Sequence, residues 1–341
     1  MITLLGFFLL EFRRKLLSGL LIAMDLVSIN ATLLFETDGR LLLQGTRGPR
    51  IVVIAASIGA ASASMLNSGN FVLYNSAQQI IWRSFDYPTD TILSTQSLFA
   101  GQQLLSSISE SDHSTGIFRL KMQSDGNLVQ HPVDSPDTAP YAYYASGTYG
   151  WGDNGTLNLD ADGYLYLLNG AGYNMKNLTN RGYTTRETIY LMRIDADGIF
   201  RLYSHNLKQS GDWSIIWSSS SDKCDPMGLC GLNAFCVPND QEALCVCLPG
   251  FAMVDPGNWK LGCDRNFTAQ SCQSNDVYNA YTVEELANTI WEDVSYSVLQ
   301  STVKEDCQQA CSEDCNCEAA LFIDRTCRKQ RLPLRWEKET D

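Results

Sequence analysis

The chain has 341 residues and a formal net charge of −13, with 25 Lys and Arg against 38 Asp and Glu. That length allows two to four domains. The acidic balance argues against nucleic acid or an anionic membrane surface as partner, because both require basic surface. Residues 1–29 hold two apolar runs, Met1 to Leu10 and Leu16 to Met24, separated by Glu11, Arg13, Arg14 and Lys15. Neither run reaches the roughly 18–20 residues that span a bilayer. Nor does Ile51 to Ala63, so no transmembrane span is expected. The order of charge and apolar core makes a poor secretory signal.

From Asn30 to Trp217 there is no cysteine, and one pattern recurs. An apolar strand runs into Asp-Gly and out into a second apolar strand. The copies centre on Asp38-Gly39, Asp125-Gly126, Asp162-Gly163 and Asp197-Gly198, with a looser one at Ser68-Gly69. Asp-Gly between alternating apolar residues signals a hairpin, because both residues tolerate positive φ. Hairpins repeated without helical periodicity predict an all-β barrel, sandwich or prism. The Asp-x-Asp-Gly copies do not read as calcium loops. The twelfth position from Asp160 is Ala171, and from Asp195 it is Asn206, where an EF-hand needs a carboxylate.

All twelve cysteines lie beyond residue 223, in two clusters of six. Cys224, Cys230, Cys236, Cys245, Cys247 and Cys263 form the first; Cys272, Cys307, Cys311, Cys315, Cys317 and Cys327 form the second. Even-numbered clusters in loop-rich stretches read as disulfide frameworks of an oxidising compartment. Six cysteines leave fifteen connectivities open in each cluster. Four sequons, at Asn30, Asn154, Asn177 and Asn266, point to N-glycosylation and to the same extracellular or plasma-membrane location. A zinc site is the rival reading of the four cysteines between 307 and 317, but the Cys-x-Cys spacing and the sequons favour disulfides. Thr302-Val-Lys-Glu305 fits a capping box, and a helix starting there sets Cys307 and Cys311 on one face. Glu318 to Ile323 reads as a strand. The basic residues Arg325, Arg328, Lys329, Arg331, Arg335 and Lys338 read as a solvated chain end.

One segment is specific. Trp82-Arg-Ser-Phe-Asp-Tyr-Pro-Thr-Asp-Thr-Ile-Leu93, with Gly69-Asn-Phe-Val-Leu-Tyr74 before it, resembles the bulb-type lectin region of plant S-domain receptor-like kinases, the cereal lectin receptor kinases above all. Read as residues alone, Trp82, Phe85 and Tyr87 are apolar anchors, Pro88 sets a turn and Asp90 hydrogen-bonds it. The resemblance runs from about residue 30 to 330. It implies a mainly β fold: bulb-type lectin β-prism units, then a disulfide-rich EGF-like module and a partial PAN/apple (α+β) module. The expected divisions are an atypical apolar segment 1–29, a partial lectin unit 30–110, a second lectin-like unit 111–217, an EGF-like module 224–263 and a partial PAN/apple module 272–341. Family members carry further strands before the Asn30 region. Their absence predicts a first unit with unpaired edges, and Gly45 to Ala60 looks like a substituted stretch.

Bulb-type lectins bind mannose through Gln-x-Asp-x-Asn-x-Val-x-Tyr, whose polar groups pair with sugar hydroxyls while Val packs on the ring. Gln123, Asp125, Asn127, Val129 and His131 keep four of the five positions. Asn70, Val72 and Tyr74 keep three, with Leu66 and Ser68 replacing Gln and Asp. The copies beginning at Asp160 and Asp195 lack the pattern. The alternative is that these polar residues serve their hairpins. Cys224-x5-Cys230-x5-Cys236-x8-Cys245-x-Cys247-x15-Cys263 resembles an EGF-like module, which implies the pairs Cys224–Cys236, Cys230–Cys245 and Cys247–Cys263. A calcium-binding acidic pattern is missing before Cys224, so no metal or other cofactor is expected.

No catalytic residues are expected either. The sequence has no Gly-rich phosphate loop, His-Arg-Asp or Asp-Phe-Gly of a kinase. The resemblance implies the ectodomain of a lectin receptor kinase, binding a mannose-type glycan or other extracellular ligand for immune or developmental signalling. It also implies homo- or heterodimers through the EGF–PAN stem. A secreted decoy or a non-functional truncated product is the alternative.

Overall fold

A computed structural model describes residues 32–44, 51–54, 59–208, 212–239, 243–266, 282–335 and 337–339. The apolar segment 1–29, the Asn30 sequon, most of the Gly45 to Ala60 stretch and Cys272 lie outside the described residues. The chain divides into two compact units, residues 1–221 and 222–341. The architecture is mainly β.

In the first unit, β1 (Thr32–Phe35), β2 (Leu41–Gln44) and β3 (Ile51–Ile54) form one antiparallel sheet, and β4 (Ser62–Met65), β5 (Phe71–Tyr74) and β6 (Ile80–Arg83) form another. Leu41, Ala60, Phe71 and Leu73 are buried together, with Trp82 packed on them.

Three four-stranded antiparallel sheets follow, built as a prism. Residues 91–107 supply three short strands, β7 (Thr91–Leu93), β8 (Ser97–Phe99) and β9 (Gln103–Ser107), and each joins a different sheet. The strand β9 pairs with β10 (Thr115–Met122), which continues to β11 (Leu128–Pro132) and β12 (Tyr144–Ala145). Next, β8 pairs with β13 (Thr156–Leu159), followed by β14 (Leu165–Leu168) and β15 (Asn174–Asn177). Finally, β7 pairs with β16 (Thr188–Ile194), followed by β17 (Phe200–Asn206) and β18 (Ser214–Ser218). Alternation sends one face of every sheet inward. Leu104, Phe118, Leu120, Leu157, Leu165, Met192, Phe200 and Leu202 are all fully buried there.

All five Gly-centred hairpins form. In each, the glycine has φ between 76° and 88°, and its amide donates to the carbonyl three residues back. At Gly198 a side chain would also collide with the Phe118 ring, at 2.8 Å. A second device recurs in four sheets. The amide just past the turn residues donates to a hydroxyl on the following segment. The bonds are Phe71 to Ser84 (3.0 Å), Leu128 to Ser146 (2.9 Å), Leu165 to Thr179 (2.8 Å) and Phe200 to Ser219 (3.1 Å). Each replaces a ladder bond with a side-chain brace, so a buried N–H keeps its partner where two strands part.

The Trp82–Leu93 corner is packed as its residues suggest. Trp82 stacks on Tyr87 at 5.5 Å, and Phe85 is buried with Leu93, Leu191 and Tyr203. The buried Asp90 carboxylate accepts from the hydroxyls of Thr89, Thr91 and Ser107.

The second unit holds little aliphatic core. Cys224, Cys230, Cys236, Cys245 and Cys263 are themselves its main buried cluster, with Ala234. Disulfides join Cys224–Cys236, Cys230–Cys245 and Cys247–Cys263, around β19 (Ala234–Pro238), β20 (Ala243–Cys247), β21 (Phe251–Met253) and β22 (Cys263–Arg265). That is the connectivity the EGF-like resemblance implies. Further on, β23 (Thr289–Ile290), β24 (Ser297–Leu299), one helix (Lys304–Ser312), β25 (Ala319–Ile323), β26 (Thr326–Gln330) and β27 (Glu337–Glu339) follow. Cys307–Cys327 ties the helix to β26, and Cys311–Cys317 closes its C-terminal end. Cys315 is disulfide-bonded as well.

Two expectations need correction. The capping box does not form: the helix starts at Lys304, so its N-cap is Val303, which has no hydroxyl, and no side chain caps it. Glu305 and Asp306 in the first turn complement the positive end of the helix dipole instead. The basic stretch is also not simply solvated. Arg328 pairs with Asp293, Lys329 with Asp314, and Lys338 with Asp222 and Asp225. The Lys329 ammonium and the Tyr296 hydroxyl hold the Asp314 carboxyl well below its usual range.

Candidate carbohydrate site

The hairpin joining β10 to β11 carries the five candidate residues. Gln123, Asp125 and Asn127 belong to the turn and are half-buried, whereas Val129 and His131 lie within β11 at 3% and 1% exposure. The turn is shaped by its own side chains. Asp125 Oδ1 accepts from the Asn127 amide at 2.9 Å. Asn127 Oδ1 accepts from Ser146 Oγ at 3.0 Å and from the Thr148 amide at 3.2 Å. Asn127 therefore extends the hydroxyl brace of its sheet. Its side-chain Nδ2, Asp125 Oδ2 and the Gln123 side-chain amide have no protein partner among the described residues.

Register places Val129 opposite Lys121 and His131 opposite Arg119, so all four project to the outer face of the sheet. That face is covered by the chain itself. In the loop after β11, Asp137 forms ion pairs with Arg119 (2.9 Å) and Lys121 (2.5 Å). His131 Nε2 lies 3.3 Å from the Thr138 carbonyl, and Nδ1 is buried without a hydrogen-bond partner. Burial pulls the His131 pKa below its ordinary value, against the opposing effect of that carbonyl. Burial works in the other direction on Asp137, but the Lys121 bond and the Arg119 charge hold its carboxyl below the usual value. The structure thus brings Gln123, Asp125 and Asn127 together at an accessible turn and separates Val129 and His131 from solvent. Sequence reading missed this clasp, because Asp137 meets its partners only when the loop folds back.

The other copies use their polar residues structurally. Asn70 is buried, and its Oδ1 accepts from Ser84 Oγ at 3.2 Å and from the Phe85 amide at 3.3 Å. Val72 is fully buried and Tyr74 half-buried. Asp160 accepts from the Tyr166 hydroxyl at 3.1 Å. Asp195 is buried under ion pairs with Arg193 and Arg201, each at 2.5 Å, and accepts from the Tyr203 hydroxyl. The sequon residues Asn154, Asn177 and Asn266 are exposed, at turns or a strand end.

Comparison with known proteins gives two family matches. Residues 25–109 match the D-mannose binding lectin family, and residues 167–255 match the S-locus glycoprotein domain family. The first match contains Asn70, Val72 and Tyr74 but ends before Gln123. Relatives include two G-type lectin S-receptor-like serine/threonine-protein kinases of Oryza sativa subsp. indica, LECRK3 and LECRK4. They are 30% and 28% identical over 80% and 90% of this chain. RLK1 of Arabidopsis thaliana, also a G-type lectin S-receptor-like kinase, is 26% identical over 91%. The chain is a homologue of these proteins over most of its length, and it spans 36%, 40% and 40% of theirs. Among solved structures, it is similar to a monomeric mannose-binding lectin from Gastrodia elata. That match has 24% identity and a TM-score of 0.30, and covers 39% of this chain and 97% of that one. It is also similar to the mannose-specific snowdrop agglutinin complexed with methyl-α-D-mannoside, with 23% identity and a TM-score of 0.28, covering 36% and 95%.

Proposed function

We propose that this homologue of the G-type lectin receptor kinases is an extracellular lectin module that binds a mannose-type glycan at the β10–β11 turn. The observation that carries this reading is the uncommitted set at the turn: the Gln123 side-chain amide, Asp125 Oδ2 and Asn127 Nδ2. A sugar hydroxyl both donates and accepts, so one carboxylate oxygen between two amides matches two adjacent hydroxyls. The shared residues of the mannose motif support the site, and the D-mannose binding lectin match over residues 25–109 supports the lectin class. On the same reading, residues 30–110 and 111–217 hold the two lectin units, the second completed by β7, β8 and β9 from residues 91–107. Residues 224–263 form an EGF-like module and 272–341 a PAN/apple-like one, a disulfide-bonded stem through which two chains pair. Kinase activity belongs to the part of the relatives that this chain does not span. Glycans at Asn154, Asn177 and Asn266 fit their exposure.

Binding to a mannose matrix tests the site. Gln123→Ala and Asp125→Ala are the informative variants, because Asn127 also braces the sheet. Asp125→Ala is expected to weaken retention about tenfold or more, the scale of one lost bond to a charged group, and Gln123→Ala about threefold or more, the scale of a neutral one. Retention equal to the parent's by both variants overturns the assignment.

A further inference from the structure

A second place in the prism has the chemistry of a sugar site, although no mannose motif marks it. A cavity of about 320 Å³ opens at one end of the sheet formed by β7, β16, β17 and β18. Ligand pockets typically start at about 300 Å³. Tyr190, Ser204 and Ser214 stand opposite one another across three strands, so they present one row to the cavity. Asn206 lies in the next row, and Asp212 and Tyr183 close the sides.

The polar groups are available. No described residue hydrogen-bonds the hydroxyls of Ser204 or Ser214 or the carboxylate of Asp212. Asn206 Oδ1 accepts from the Lys208 amide at 2.9 Å, which leaves its Nδ2 to donate. The Tyr190 hydroxyl is spent on the Thr184 carbonyl at 2.7 Å, so this residue contributes its ring. Tyr183 lies against that ring, with centroids 6.1 Å apart and planes inclined by 37°. Two hydroxyls, an amide donor and a carboxylate beside two aromatic rings suit a molecule with an apolar ring face and a rim of hydroxyls. Asp212 is the one acidic residue among those lining the cavity. It favours neutral hydroxyls, which donate to it, and repels carboxylated or sulfated sugars.

We infer that this cavity is a second saccharide site, taking one neutral sugar ring against Tyr183, with Asp212, Ser204, Ser214 and Asn206 bonded to its hydroxyls. The inference rests on the lectin reading above but uses none of the same residues.

The test is a glycan array carrying neutral, amino and uronic-acid sugars, followed by calorimetric titration of the strongest neutral glycan. Parent, Asp212→Ala, Tyr183→Ala and Asp125→Ala proteins are compared. Asp212 is exposed, so its truncation leaves folding intact; matching melting curves check this for Tyr183→Ala. The expected result is at least a tenfold loss of affinity for one neutral glycan in Asp212→Ala and Tyr183→Ala, with Asp125→Ala unchanged for it. Loss in Asp125→Ala alone overturns the second site and keeps the lectin reading. A parent that binds no sugar overturns both. Preference for an amino sugar, lost in Asp212→Ala, overturns the neutral class.

Discussion

The two units of this chain reach stability by opposite means. Residues 1–221 contain no cysteine, and their prism is filled with Leu, Ile, Met and Phe that are out of contact with water. In residues 222–341 the buried apolar set is largely the cysteines themselves, with Ala234, Leu248, Leu321 and Leu334. A three-sheeted prism has an interior to fill; a loop-rich segment with strands of two to five residues does not. Covalent closure of short loops takes over where solvent exclusion is insufficient. The lesson is that a sequence can switch its source of stability at one boundary, and cysteine distribution marks the place.

Reduction should break this comparison most strongly. Each bridge contributes about 2–4 kcal/mol, so dithiothreitol should unfold residues 222–341 while the prism retains its strands. Hydrogen exchange with mass spectrometry reads the units separately, and simultaneous loss of protection in both would refute independent stabilisation. Phe118→Ala is the reciprocal test. Phe118 is fully buried, meets Tyr143 edge-on at 5.9 Å and packs under Gly198. Its truncation should cost about 3–5 kcal/mol in denaturant unfolding of the first unit and leave the second unaffected. The smallest effect concerns the hydroxyl braces. Ser146→Ala leaves the Leu128 amide without its acceptor and Asn127 Oδ1 without the hydroxyl that donates to it, so a loss of about 1–3 kcal/mol is expected. An unchanged unfolding midpoint would reduce the brace to a by-product of strand geometry.

Much of the first unit was legible because its signals are local. Asp-Gly or Ser-Gly fixes a turn within five residues, and all five such turns became hairpins. The Trp82–Leu93 corner was legible for the same reason. The braces were not, because Ser84, Ser146, Thr179 and Ser219 stand 13 to 19 residues from the amides they serve, and nothing nearby distinguishes them from ordinary loop hydroxyls. The candidate mannose strand was half legible. Gln123, Asp125 and Asn127 can be recognised by type and spacing. The burial of Val129 and His131 depends on Asp137, whose role exists only after Arg119 and Lys121 are aligned on β10. In the second unit the cysteines announced a disulfide framework, but spacing left fifteen pairings for each cluster, and only resemblance selected one for the first. The helix near Thr302 was placed correctly and capped wrongly, because a capping box describes a preference and the chain at Val303 was already extended.

The strands drawn from residues 91–107 also bear on how the molecule behaves in a crowd. In each prism sheet one edge is β7, β8 or β9, of three, three and five residues, and the other is β18, β15 or β12, of five, four and two. A strand edge recruits another chain only if it offers a long, flat row of free backbone groups. Six edges this short offer little template for intermolecular pairing, so the three prism sheets can stay unpaired with other chains at high concentration.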